Sequence, residues 1–139
     1  MTILEIKIKG KLAENIKEVK YMINYLMENH PLPGKTLIIH PLSQDKVRCG
    51  KIMRAAAYIQ LGPRTDTEIK VKLCVGKNKE LSAFGLARSI AHEYCHALQH
   101  YRDGLDYSTQ QETMEKEARS FSHNSVAAIM RLMIEKMDL

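Results

Sequence analysis

Leu4, Ile6 and Ile8 alternate with Glu5, Lys7 and Lys9 as far as Gly10, the period-two pattern of a strand with one buried face. Beyond it Leu12, Ile16, Val19, Ile23 and Leu26 recur at helical spacing, with Lys17, Lys20 and Glu28 off the stripe. That pattern predicts an amphipathic helix, broken by His30-Pro31-Leu32-Pro33-Gly34. Thr36 to His40 reads as a short apolar strand stopped at Pro41. Lys51 to Leu61 reads as another, bounded by Cys49-Gly50 and Gly62-Pro63, although its run of alanines is a weak strand former. Glu68 to Val75 alternates cleanly. Asn78 is placed to cap a helix from about Lys79 to Arg102. After Asp103-Gly104, the capping box Thr109-Gln110-Gln111-Glu112 opens a last helix through Met137. The order strand, helix, three strands, two helices is an α+β layout: one domain over 1–139, with helices packed on a small mixed sheet.

Composition narrows the setting. A chain of 139 residues, 45% apolar, can close one core. The net charge of +5 is mild, and Lys70 and Lys72 alternate with Ile69, Val71 and Leu73. This is a solvated strand face before it is a nucleic-acid surface. Cys49, Cys74 and Cys95 are odd in number and form no C-x-x-C pair, so neither a disulfide framework nor a cysteine metal site is indicated. Cys95 reads as a small buried hydrophobe. The chain opens without a basic segment leading into an apolar run, and no apolar stretch reaches the roughly 18 residues of a membrane span. The expectation is a cytoplasmic protein without a membrane partner.

The chemistry is concentrated in His92-Glu93-Tyr94-Cys95-His96, an H-E-x-x-H sequence inside the second predicted helix. Residues i and i+4 lie on one helical face, so both imidazoles can reach a single Zn²⁺ at about 2.0–2.1 Å. Glu93 projects about 100° away, free to act as general base on a water beside the metal. Gly85 and Ser89 precede His92 on the same face, and small residues there leave room for a cleft. A catalytic zinc needs a third protein ligand. The extended H-E-x-x-H-x-x-G-x-x-H pattern is ruled out, with Gln99 in place of the glycine and Arg102 in place of the last histidine. His100 shares the face but lies about 12 Å along the axis from His92, which makes it a cleft-rim or surface residue. The acidic candidates are Asp103, Asp106, Glu112, Glu115 and Glu117. On the last helix Ala118, Phe121, Ser125, Ile129 and Leu132 define a buried stripe, and Glu115 and Glu117 flank it on opposite sides. Periodicity does not separate them.

His92-Glu93-x-x-His96 followed by Glu115-Lys116-Glu117-Ala118-Arg119-Ser120-Phe121 resembles the gluzincin metallopeptidases. It is similar in particular to the compact ImmA/IrrE proteins and to the minigluzincins. The resemblance covers about the last sixty residues and departs at Ser122, where a small apolar residue is usual. It implies a zincin-like domain in which the motif helix is followed by a C-terminal helix carrying the third ligand. Carried over by position, His92, His96 and Glu117 would hold one zinc per chain, with Glu115 the next choice and Glu93 catalytic. It further implies an endopeptidase with a specific, regulatory protein substrate, such as a repressor of a phage or mobile element. Tyr107, Tyr101 and His123 are the residues available to steady an oxyanion.

Two other readings stand beside it. A zinc-stabilised binding module would have no use for Glu93. A DNA-associated protease is suggested by the pI of 9.1 and by the likeness of the motif to SprT-like zincins, but those complete their site with a histidine soon after the helix. Here none occurs between His100 and His123.

Overall fold

A computed structural model describes residues 5–8, 17–42, 47–49, 53–55, 57–74 and 83–138. Its elements are β1 (Glu5–Ile8), α1 (Lys17–Asn29), β2 (Thr36–Leu42), β3 (Val47–Cys49), β4 (Met53–Ala55), β5 (Ala57–Gln60), β6 (Glu68–Cys74), α2 (Ala83–Ala97) and α3 (Tyr107–Glu135). A π-helical turn, Leu98–Arg102, extends α2. Strands β1, β2 and β6 run parallel in the order β1-β2-β6, and β5 adds antiparallel to β6 at the edge. Strands β3 and β4 form a separate antiparallel pair. The expected α+β class, with a small mixed sheet, is the one observed.

The alternation in β6 decides which face is covered. Ile69, Val71 and Leu73 are fully buried, whereas Lys70 is exposed and Lys72 partly so. Val19, Met22, Ile23 and Leu26 of α1 and Leu86, Ala87, Ile90 and Ala91 of α2 close over that face with Leu37 and Ile39 of β2. Tyr94 is buried within this layer, and its hydroxyl donates to the His30 carbonyl at 2.6 Å, tying the motif helix to the end of α1. Gly34, at φ +77°, supplies the left-handed turn that returns the chain from α1 into β2.

Several boundaries differ from expectation for identifiable reasons. Strand β2 continues through Pro41 to Leu42. Pro41 and Leu42 remain paired there with Leu73 and Cys74 of β6, so the proline stands inside the ladder rather than at its end. The single strand expected over 51–61 is two strands, β4 and β5, in different sheets, with the weak strand formers at the division. The last helix starts at Tyr107, with Asp106 rather than Thr109 as its N-cap. The Asp106 carboxylate accepts from the Ser108 N–H at 3.1 Å. The expected box straddles a kink at Gln110 (φ −127°, ψ 25°). The proposed cap at Asn78 and the stretch Leu12–Ile16 lie outside the described residues. Among the described residues no helix is long and apolar enough to cross a membrane.

Candidate metal centre

Helix α2 lies between the sheet, α1 and α3, and His92 and His96 stand one turn apart on one of its faces. His96 is almost wholly buried, while the His92 side chain is about a quarter exposed (23%). The two rings stand 5.0 Å apart, edge to face. Opposite them is a carboxylate from α3, that of Glu115. Its Oε1 lies 2.6 Å from His96 Nε2 and its Oε2 lies 3.3 Å from His92 Nε2. One ligand atom from each of the three residues falls within 4.8 Å of the other two.

Glu117 is placed elsewhere. Its Oε1 accepts from Gln99 Nε2 at 2.9 Å and stands 3.9 Å from the Cys95 thiol, which donates to it. The cause is the rotation of α3. Its buried face runs through Met114, Ala118, Ser122, Ser125, Ile129 and Met133, which keeps three residues of the expected stripe but takes Ser122 for Phe121 and Met133 for Leu132. Phe121 is only partly buried. Glu115, one turn before Ala118, therefore points at the motif face, and Glu117 falls beside the π-helical turn. The resemblance assigned the third ligand to Glu117, whereas the geometry brings Glu115 to the two histidines.

The electrostatics follow from burial. Glu93 is pushed up to about 8, first by burial and then by the charge of Glu115, against a hydrogen bond from the Ile59 backbone on β5. His92 is held below the usual histidine range by burial and by His96, with Glu115 pulling the other way. Burial and the nearby Glu117 carboxylate push Cys95 up to about 12, leaving an inert thiol between the histidines.

Of the three residues named as oxyanion donors, Tyr107 lies at the site. Its hydroxyl donates to Glu115 Oε1 at 3.2 Å and its ring meets the His96 ring at 5.6 Å. Tyr101 packs on His100 with Lys35 over its ring, and His123 is exposed on α3. His100 is a rim residue, paired with the Gly62 carbonyl at 2.7 Å. Gln99, fully buried, meets His96 Nδ1 at 2.8 Å. In the sequence it figures only as a mismatch to a longer histidine motif. Its offset of three from His96, which makes the two side chains neighbours, was the available signal.

Two imidazoles and one carboxylate facing a common point are the donor set of catalytic zinc sites, and an unliganded glutamate beside them leaves room for the chemistry. The donors present fit such an ion. Fold and site together define a metallopeptidase domain. The chain belongs to the ImmA/IrrE family of zinc metallopeptidases: the profile of its IrrE N-terminal-like domain matches residues 52–137, well over half the chain. No match to a curated protein or to a solved structure accompanies it.

Proposed function

We propose that the protein is a gluzincin-type endopeptidase, with zinc held by His92, His96 and Glu115, that cuts a peptide bond in a specific regulatory protein of the cytoplasm. The observation that carries this reading is the convergence of Glu115 on the two histidines, with Glu93 outside that donor group. Zinc bound there supplies Lewis-acid polarisation of a carbonyl and brings the pKa of a water toward about 7. Glu93 takes the proton of the attacking water and hands it to the leaving amine: a C–O bond forms, the C–N bond breaks, and the proton ends on nitrogen. Burial raises the proton affinity of Glu93, and a cation held by the neighbouring donors would favour the ionised form that the base requires. The Tyr107 hydroxyl is the neutral donor beside the site, suited to charge developing on the carbonyl oxygen. Strand β5 lies at the sheet edge and touches Glu93 through Ile59, so an extended substrate can add along it.

Two measurements test the reading. Zinc content of the purified protein is expected at one per chain in wild type and in Glu93→Gln, and lost in His96→Ala and Glu115→Gln. Terminal-amine labelling of a cell extract is expected to show new protein N-termini with wild type and none with Glu93→Gln. Zinc without new termini would mean a binding module, and zinc retained in Glu115→Gln would remove the ligand assignment.

A further inference from the structure

We propose that Gln99 is a positioning residue that fixes the His96 ring with its proton on Nδ1 and its Nε2 toward the metal centre, and that Glu117 holds Gln99 in that orientation. The proposal rests on the metal centre just described and adds to it a second tier of residues.

Gln99 is fully buried, yet the hydrogen-bonding capacity of its amide is taken up by three groups. Its Nε2 donates to the Met114 carbonyl at 3.0 Å and to Glu117 Oε1 at 2.9 Å. A backbone carbonyl only accepts, so the group facing Met114 has to be the NH₂ end. The amide orientation is therefore determined by its partners, and the oxygen faces His96. That oxygen also only accepts, and it lies 2.8 Å from His96 Nδ1. The proton of this bond therefore belongs to the imidazole. A ring protonated at Nδ1 offers its lone pair at Nε2, and Nε2 is the atom beside Glu115.

The path runs from α3 (Glu117, Met114) through the π-helical turn (Gln99) to α2 (His96). Metal-bound histidines are commonly oriented by such a bond at the other ring nitrogen. Here the acceptor is a neutral amide that is itself steered by a carboxylate. Glu117, the residue that the resemblance placed on the metal, thus acts two hydrogen bonds away from the His96 ring.

The test compares wild type with Gln99→Leu and Glu117→Ala by two readouts. Zinc affinity is measured by competition with a chelator. The His96 imidazole is followed by NMR of histidine-labelled protein, both metal-free and zinc-loaded. Gln99→Leu is expected to weaken zinc binding about 10–100-fold while keeping one zinc per chain at saturation. It should also lose the exchange-protected Nδ1–H resonance of His96. Glu117→Ala, at an exposed position that leaves the core intact, is expected to weaken zinc binding several-fold and to broaden the same resonance. Unchanged affinity and an unchanged Nδ1–H signal in either folded variant would overturn the proposal. Complete loss of zinc in Glu117→Ala would overturn it too, because Glu117 would then be a ligand. The metal-free spectra are decisive whether or not zinc binds, so failure of the metal centre itself is seen separately, as wild-type protein that takes up no zinc.

Discussion

Removing the metal should leave the fold with a stability that falls as pH rises, and Glu93 should be the reason. In the unfolded chain its carboxyl titrates near 4.5, and in the metal-free fold burial and Glu115 raise it to about 8. Between those values the folded state holds a proton that the unfolded state has released. Stability from this group is therefore fullest below about 4.5 and is lost as pH rises to about 8. A span of about 3.5 pH units at about 1.4 kcal/mol each gives about 5 kcal/mol. Solvent access past the partly open His92 and Glu115 side chains, 23% and 28% exposed, reduces this to the order of 2–3 kcal/mol. His92 and His30, both held below the usual histidine range by burial, act in the opposite sense below about 6.5. The difference between wild type and Glu93→Gln isolates the glutamate, and the window from 6.5 to 8 is the cleanest. Urea denaturation of chelator-treated protein at several pH values in that window is the assay. Wild type should lose stability across it while Glu93→Gln stays nearly level, since its amide oxygen can still accept from Ile59. Parallel slopes for the two proteins would refute the reasoning. Restoring zinc should flatten the wild-type slope, because a cation beside Glu93 favours its ionised form.

Two further substitutions probe the site from α3. Tyr107→Phe should keep its zinc but cut turnover by about 10²-fold, measured as the rate at which new protein N-termini appear. An unchanged rate would confine the hydroxyl to orienting Glu115. Ala118→Leu crowds a fully buried position in the seam between α2 and α3, one turn from Glu115. It should cost about 1–3 kcal/mol in denaturant titration and weaken zinc binding in the same protein, whereas Ala118→Ser should do neither.

The parts of this fold that were legible in the sequence are those in which side-chain chemistry and periodicity agree. In β6 Lys70 and Lys72 face out between Ile69, Val71 and Leu73, so a period of two is enough to identify it. The motif helix was equally plain, because i and i+4 spacing places His92 and His96 together whatever surrounds them. Strand β3 is three residues long and too short for any period to show, and it pairs with a strand that the sequence joined to β5. Pro41 misled because a proline ends a strand only where a neighbour needs its N–H, and β6 goes on pairing with β2 past it.

The third ligand shows where periodicity runs out. Glu115 and Glu117 are two residues apart, about 200° around a helix, so each sits at one margin of the same stripe. Centred on Phe121 and Leu132, the stripe leaves the choice open. Centred on Ser122 and Met133, as in the structure, it turns Glu115 to the histidines. A serine looks out of place in a core, yet Ser122 is buried because its hydroxyl donates to the Arg119 carbonyl one turn back, so no polar group is stranded. Gln99 escaped notice for the same reason, being buried and polar but satisfied by Met114, Glu117 and His96. Hydropathy scores such residues as surface, although here both are buried with their polar groups partnered. The two glutamates thus part among polar residues whose partners lie within a turn or across a helix seam, which no count of apolar positions registers.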